Sequence, residues 1–197
     1  MNAYPYECVV PPVDGPLATL PLKVVRGYAA WFHAAMPERL TVLTHLVRSN
    51  YAFLQWPADH SVESLRELWD WFPSEVSAKE EPSRIQIRSV EIVSPTPTAR
   101  TLSLCIDVGM YFGATFVKNV PDTAWVQPVK NRRDDDFGSP CICRGGVERY
   151  GLLNPVASAL TLANRVIRGK ARSGEFEGLF RYWERALGKS AAELGEG

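Results

Sequence analysis

The sequence predicts an α+β fold: a mostly helical single domain around a buried central helix, with a small antiparallel sheet. Three observations lead there. The stretch from Thr101 to Val120 is apolar on almost every side, as a helix at a domain centre is. Amphipathic helical patterns lie before and after it, with only a few short alternating stretches between. The chain has 197 residues, 46% hydrophobic and 22% charged, enough to bury one sizeable core. The expected organisation is an extended arm over 1–19, the domain over 20–188 and a flexible tail over 189–197.

Taken in order, the arm carries Pro5, Pro11, Pro12 and Pro16, which disfavour helix and leave room for a short edge strand at Cys8–Val10. Leu22, Val25, Ala29, Phe32 and Met36 recur at helical spacing. Pro37 then reads as the first residue of a second helix bearing Leu40, Leu43, Leu46 and Val47, so a helical hairpin is expected. An aromatic connector follows over 51–57. Ser61 is a good N-cap, and Leu65, Leu68, Trp69 and Phe72 form a stripe that Pro73 ends. Arg84–Arg88 alternates as a half-buried strand does, and Val90–Ile92 continues out of phase, which suggests a bulge near Ser89.

On the central helix, Gly109 and Gly113 fall on one face and leave a groove where another backbone can approach. Leu102, Ile106, Phe116 and Val120 extend that face, while Asp107, Tyr111, Thr115 and Lys118 form a narrow polar strip elsewhere. Two short strands, Ala124–Val129 and Pro140–Cys143, flank a charged loop and suggest an antiparallel pair with that loop at its tip. Asn154–Pro155 is a strong helix start, and that helix stops near Gly169. The last helix begins at Ser173, buries Phe176, Phe180 and Trp183, and ends at Gly188.

Composition narrows the function. Lys plus Arg number 22 and Asp plus Glu number 22, so nothing draws the chain broadly to nucleic acid or to an anionic membrane. Asp107 and Lys118 interrupt the central helix, and the uncharged run between them is about half of the ~20 residues a membrane span needs. The N-terminus has no secretory pattern, so a cytoplasmic location and reduced thiols at Cys8, Cys105, Cys141 and Cys143 are expected.

The polar feature that stands out is Arg132, Arg133, Asp134, Asp135 and Asp136. Clustered carboxylates can hold a hard cation, yet the spacing fits no calcium loop. The plain reading is a solvated hairpin tip; the functional one is a recognition loop that works by charge complementarity. Trp56 and Trp71 lie off the main stripes and are candidate anchors at the same interface. Cys141 and Cys143 share one side of a strand without a second ligand pair, so no metal is expected. Asp107 and Tyr111 sit at i, i+4 and can meet. They read as structural polar groups, with Arg88, Arg100, Arg144 or Arg149 as the acid's partner, or as the polar groups of a pocket. His33, His45 and His60 supply no triad and no paired metal spacing.

The segment Ser103–Gly113, with Val117–Asn119, Trp125, the Arg132–Gly138 loop and Leu153–Asn154–Pro155, resembles a group of poorly characterised bacterial proteins. They share an Asp-x-Gly-x-Tyr-x-Gly-Glu helix, a downstream Trp, a short strand pair and a Leu-Asn-Pro helix start. Ser61 to Phe72 is similar to their upstream helix, and the likeness spans roughly the C-terminal two thirds of the chain. The Glu after the second glycine is Ala114 here, which points the helix toward a structural or binding role. The resemblance implies a small cytosolic companion protein, some of the group being held to be immunity proteins that neutralise a secreted antibacterial toxin.

These readings combine into one expectation: a non-enzymatic cytoplasmic binding protein without cofactor. It would occlude a cognate toxin or effector through Arg132 to Asp136, with Trp56 or Trp71 as anchor. The alternatives are a small-ligand protein or enzyme with a pocket at Asp107 and Tyr111, and a homo-oligomeric assembly subunit with its aromatics between copies.

Overall fold

The computed structural model of the protein describes residues 5–87, 90–146 and 151–188. Helix α1 runs without a break over Leu22–Ser49, with Pro37 inside it. The expected hairpin is therefore one long helix. Val25, Phe32, Arg39 and Leu46 are buried at seven-residue steps on one side, joined by Leu43 and Val47. A proline in a helix interior costs roughly 3 kcal/mol. Burial of this continuous face on both sides of Pro37 outweighs that cost.

Helix α2, Val62–Glu75, starts where Ser61 Oγ accepts from the Ser64 amide at 3.1 Å. It runs two residues beyond Pro73, which lies in its last turn rather than after it. Strands β1 (Ser83–Ile87) and β2 (Val90–Ser94) pair antiparallel with Ile87 opposite Val90. The phase change in the alternation is thus a reversal of the chain between two strands; the bulge expected near Ser89 falls outside the described residues.

Helix α3, Ala99–Asn119, is the centre of the fold, buried over most of its length and capped by Thr98 Oγ1. Leu102 departs from the predicted buried face and is 43% exposed. Strands β3 (Thr123–Val126) and β4 (Cys141–Arg144) pair antiparallel, Trp125 opposite Ile142, and Leu153 bridges the outer side of Ile142. Among the described residues the two strand pairs are separate two-stranded sheets. Helix α4, Pro155–Ile167, is capped by Asn154 Oδ1, which accepts from the Ala157 amide at 3.0 Å. Helix α5, Glu175–Gly188, closes the described chain.

The two glycines of α3 do what their spacing implied. A Cβ on Gly109 would lie 2.8 Å from Val156 Cα, so the first turn of α4 rests directly on α3. A Cβ on Gly113 would run into the Trp125 ring, which fills that notch and meets Phe32 edge-on at 5.5 Å. Helices α2 and α5 cover another side of α3 through Trp69 against Phe176 (5.2 Å) and Phe116 against Phe180 (5.2 Å). The N-terminal arm forms no strand at Cys8–Val10; the chain instead makes one 3-10 turn at Leu17–Thr19.

Candidate functional site

Asp107 lies on the side of α3 that faces α1 and is fully buried. Arg39, placed on the buried stripe of α1 by its phase with Phe32 and Leu46, meets it as a two-pronged fork. Nε donates to Oδ1 at 2.8 Å and Nη2 to Oδ2 at 2.7 Å. Tyr6 of the arm adds a third bond, its hydroxyl donating to Asp107 Oδ2 at 2.6 Å. The remaining bonds tie the arm down: Val9 N donates to Ser103 Oγ, and Arg39 Nη2 donates to Glu7 O. The Tyr6 ring has a guanidinium on it from Arg39 (5.5 Å) and from Arg100 (5.3 Å).

Burial pushes the Asp107 carboxyl above its ordinary value, against the pull of Arg39 and Tyr6. The Arg39 guanidinium is held firmly protonated by the same fork. Burial, then the Asp107 charge, raises the Tyr6 phenol. A fully buried carboxyl group with both oxygens occupied by three donors serves as a structural lock. Neither of the two described arginines expected for it takes that place. Arg100 pairs with Glu75 at 2.6 Å, Arg144 reaches toward Asp122 at 3.9 Å, and Arg88 and Arg149 fall outside the described residues.

Asp107 and Tyr111 do not meet. Tyr111 turns toward α2, where Ser64 Oγ lies 2.7 Å from its hydroxyl and the His60 amide donates to it at 3.0 Å. Trp56 and Trp71 are not surface anchors. Both are fully buried: Trp56 packs its ring on Tyr111 at 4.9 Å and donates Nε1 to Ser64 O. Trp71 lies among the buried side chains of α2, which is covered on two sides rather than along a single stripe. The exposed apolar side chains of this region are instead Tyr51, 81% exposed, and Leu54, 51% exposed.

The charged loop between β3 and β4 is more structured than a solvated tip. Phe137 and Gly138 are buried, Gly138 N donates to Pro128 O, and Gln127 Nε2 bridges Gly138 O and Val25 O. Arg132 folds back over the Phe137 ring and donates Nη1 to Ala18 O (2.6 Å) and Leu20 O (3.0 Å). Asp134 accepts from Asn131 Nδ2 at 2.6 Å, and Asp136 accepts from the α4 cap Asn154 at 2.8 Å. Arg133 and Asp135 are exposed; Arg133 N donates to Asn131 Oδ1 at 3.1 Å, but neither side chain makes a hydrogen bond or ion pair among the described residues. Both line a hollow of about 360 Å³ together with Leu17, Ala18, Arg132 and Phe137. Three of the five predicted charges therefore build the loop, and two are presented by it.

Among the described residues no group of three or more His, Cys, Asp or Glu is placed to hold a metal ion. The four cysteines are unbridged, and burial pushes the Cys105 thiol up to about 12. No helix among the described residues is long and apolar enough to cross a membrane. No family model, curated protein or solved structure matches the chain.

Proposed function

We propose that the chain is a non-enzymatic binding protein that occludes a partner protein, and that the partner is a secreted antibacterial toxin neutralised in the cytoplasm. The toxin class comes from the resemblance carried by Asp107, Gly109, Tyr111, Gly113, Trp125 and the Leu153–Asn154–Pro155 start. The observation that carries the binding reading is the occupied state of Asp107. The one carboxylate of the central helix is locked by Arg39 and Tyr6, whereas on an ordered loop the Arg133 and Asp135 side chains make no hydrogen bond or ion pair among the described residues. Preorganised charges of opposite sign give orientation and encounter rate at little entropic cost.

The contact surface in this reading is the outer rim of the 131–136 loop together with Leu17 and the partly exposed Leu22 and Val24 at the start of α1. That pairing of a charged rim with an apolar floor suits a standard interface of about 1,600 Å². Reversing the presented charges as Arg133→Glu with Asp135→Lys should slow association with the partner roughly tenfold at low salt, with little change at high salt. Stopped-flow or surface-binding kinetics against the purified partner read this directly; an unchanged on-rate at low salt removes the loop from the interface. Asp107 is fully buried, so the remaining support of the small-ligand alternative lies one turn further along the same α1-facing side of α3, at Tyr111.

A further inference from the structure

The turn from Pro57 to His60 holds two non-glycine residues in left-handed backbone, Ala58 at φ 49° and His60 at φ 58°. Such residues cost about 1–3 kcal/mol each and persist only where their surroundings hold them. Four side-chain bonds do so here. Arg48 donates to Trp56 O and Pro57 O, Lys118 Nζ to Asp59 O, and Asn119 Nδ2 to His60 O. The His60 ring is stacked on Tyr111 with centroids 4.5 Å apart. It lines a hollow of about 200 Å³ shared with Leu40, Thr41, Thr44 and His45 of α1, Ala58 and Tyr111.

The hydrogens in this hollow can be assigned. Thr115 Oγ1 donates to Tyr111 O at 2.8 Å, so at its 3.3 Å contact with His60 it accepts, and Nδ1 carries the proton. That leaves Nε2 as a bare lone pair. Ser64 Oγ donates to Ser61 O, so the Tyr111 hydroxyl spends its hydrogen on Ser64. Thr41 and Thr44 donate their hydroxyls to Pro37 O and Leu40 O of their own helix. The side chains of Thr41, Thr44, Tyr111 and His60 can each still accept a hydrogen bond, and none of these four retains a donor for the hollow. The Lys118 charge nearby disfavours a cationic guest.

We infer that this hollow binds a small neutral molecule, one ring in size, that donates an N–H or O–H to His60 Nε2 and sets its apolar side against Leu40 and Ala58. The volume holds roughly half a dozen waters, which matches a single azole or phenol ring. The site shares no lining residue with the hollow under the charged loop, so it stands or falls apart from the partner-binding reading.

Pyrazole, a neutral ring with one N–H, is the probe, and 1-methylpyrazole, which lacks that donor, is its control. In titrations followed by ¹⁵N NMR, the free protein should show His60 as the Nδ1–H tautomer. Pyrazole should shift His60, Ala58 and Thr44 resonances saturably, and the methylated ring should bind about tenfold more weakly. The variant His60→Asn tolerates the left-handed backbone and removes the ring, so it should abolish the response while keeping a folded spectrum. An Nε2–H tautomer in the free protein, no saturable shift with pyrazole, or equal binding of the two rings would overturn the assignment. The comparison of the two rings needs no variant.

Discussion

A carboxylate with no exposed surface needs a partner that supplies both charge and hydrogen bonds, and Arg39 supplies both to Asp107. Asp107→Ala should cost about 3–5 kcal/mol of stability in urea unfolding, because it strands a buried guanidinium. Arg39→Met together with Asp107→Leu should cost less than either single change, since the pair is then replaced by apolar volume. A double change as costly as the sum of the two would mean that the groups act separately. His60 sets a second residue-scale test. Burial, followed by the Lys118 charge, holds its imidazole below the ordinary value of 6.5, while the Tyr111 bond and Asp59 oppose this. The folded chain therefore resists a proton that the unfolded chain accepts, and stability is lost as pH falls below about 6.5. Burial acts on His33 in the same direction. In melts from pH 7 to 5.5, Tm should fall with pH, and the fall should be shallower in His60→Asn; identical slopes would place the effect elsewhere. The sequence made Asp107 conspicuous, but its partner stands 68 positions away. The one local sign of that partner was the phase of Arg39 with Phe32 and Leu46 on an otherwise apolar stripe.

Elements were legible where their start signals or periods were local. Ser61 and Asn154 cap the helices that follow them, and the spacing of Gly109 and Gly113 announced a close approach. The identity of what approaches, the first turn of α4 and the Trp125 ring, is a tertiary fact that no local pattern carries. Pro37 misled because a proline looks like a boundary when read alone; the buried face running through it decides otherwise. The glycine contact gives a contrast within one protein. Gly109→Ala puts a methyl against Val156 backbone, so despite a helix-propensity gain of about 1 kcal/mol it should destabilise by about 1–3 kcal/mol. Gly27→Ala on α1 meets nothing within 4 Å and should stabilise by up to about 1 kcal/mol. Thermal unfolding of the two variants should move in opposite directions; a matched shift would mean that α4 does not rest on Gly109.

At the scale of the molecule, the helical α+β class followed from composition and periodicity, since burying α3 requires helices around it and leaves only short strands between. Surface roles were less legible. Trp56 and Trp71 looked free because they fall off the stripes, but α2 is packed on more than one side and both rings are inside. The charge cluster 132–136 reads as five equivalent residues in sequence, and only the folded loop separates Arg132, Asp134 and Asp136, which hold it together, from Arg133 and Asp135, which it presents. The proposal that this face meets a partner is tested most directly by hydrogen exchange. The chain would be mixed with the product of the neighbouring gene in inactivated form, and amide protection would be compared with the free chain. Slowed exchange confined to residues 131–136 and the neighbouring 17–24 segment is the predicted result. A stable complex that protects a different face would contradict the loop assignment, and the absence of any complex at micromolar concentration would contradict the binding function itself.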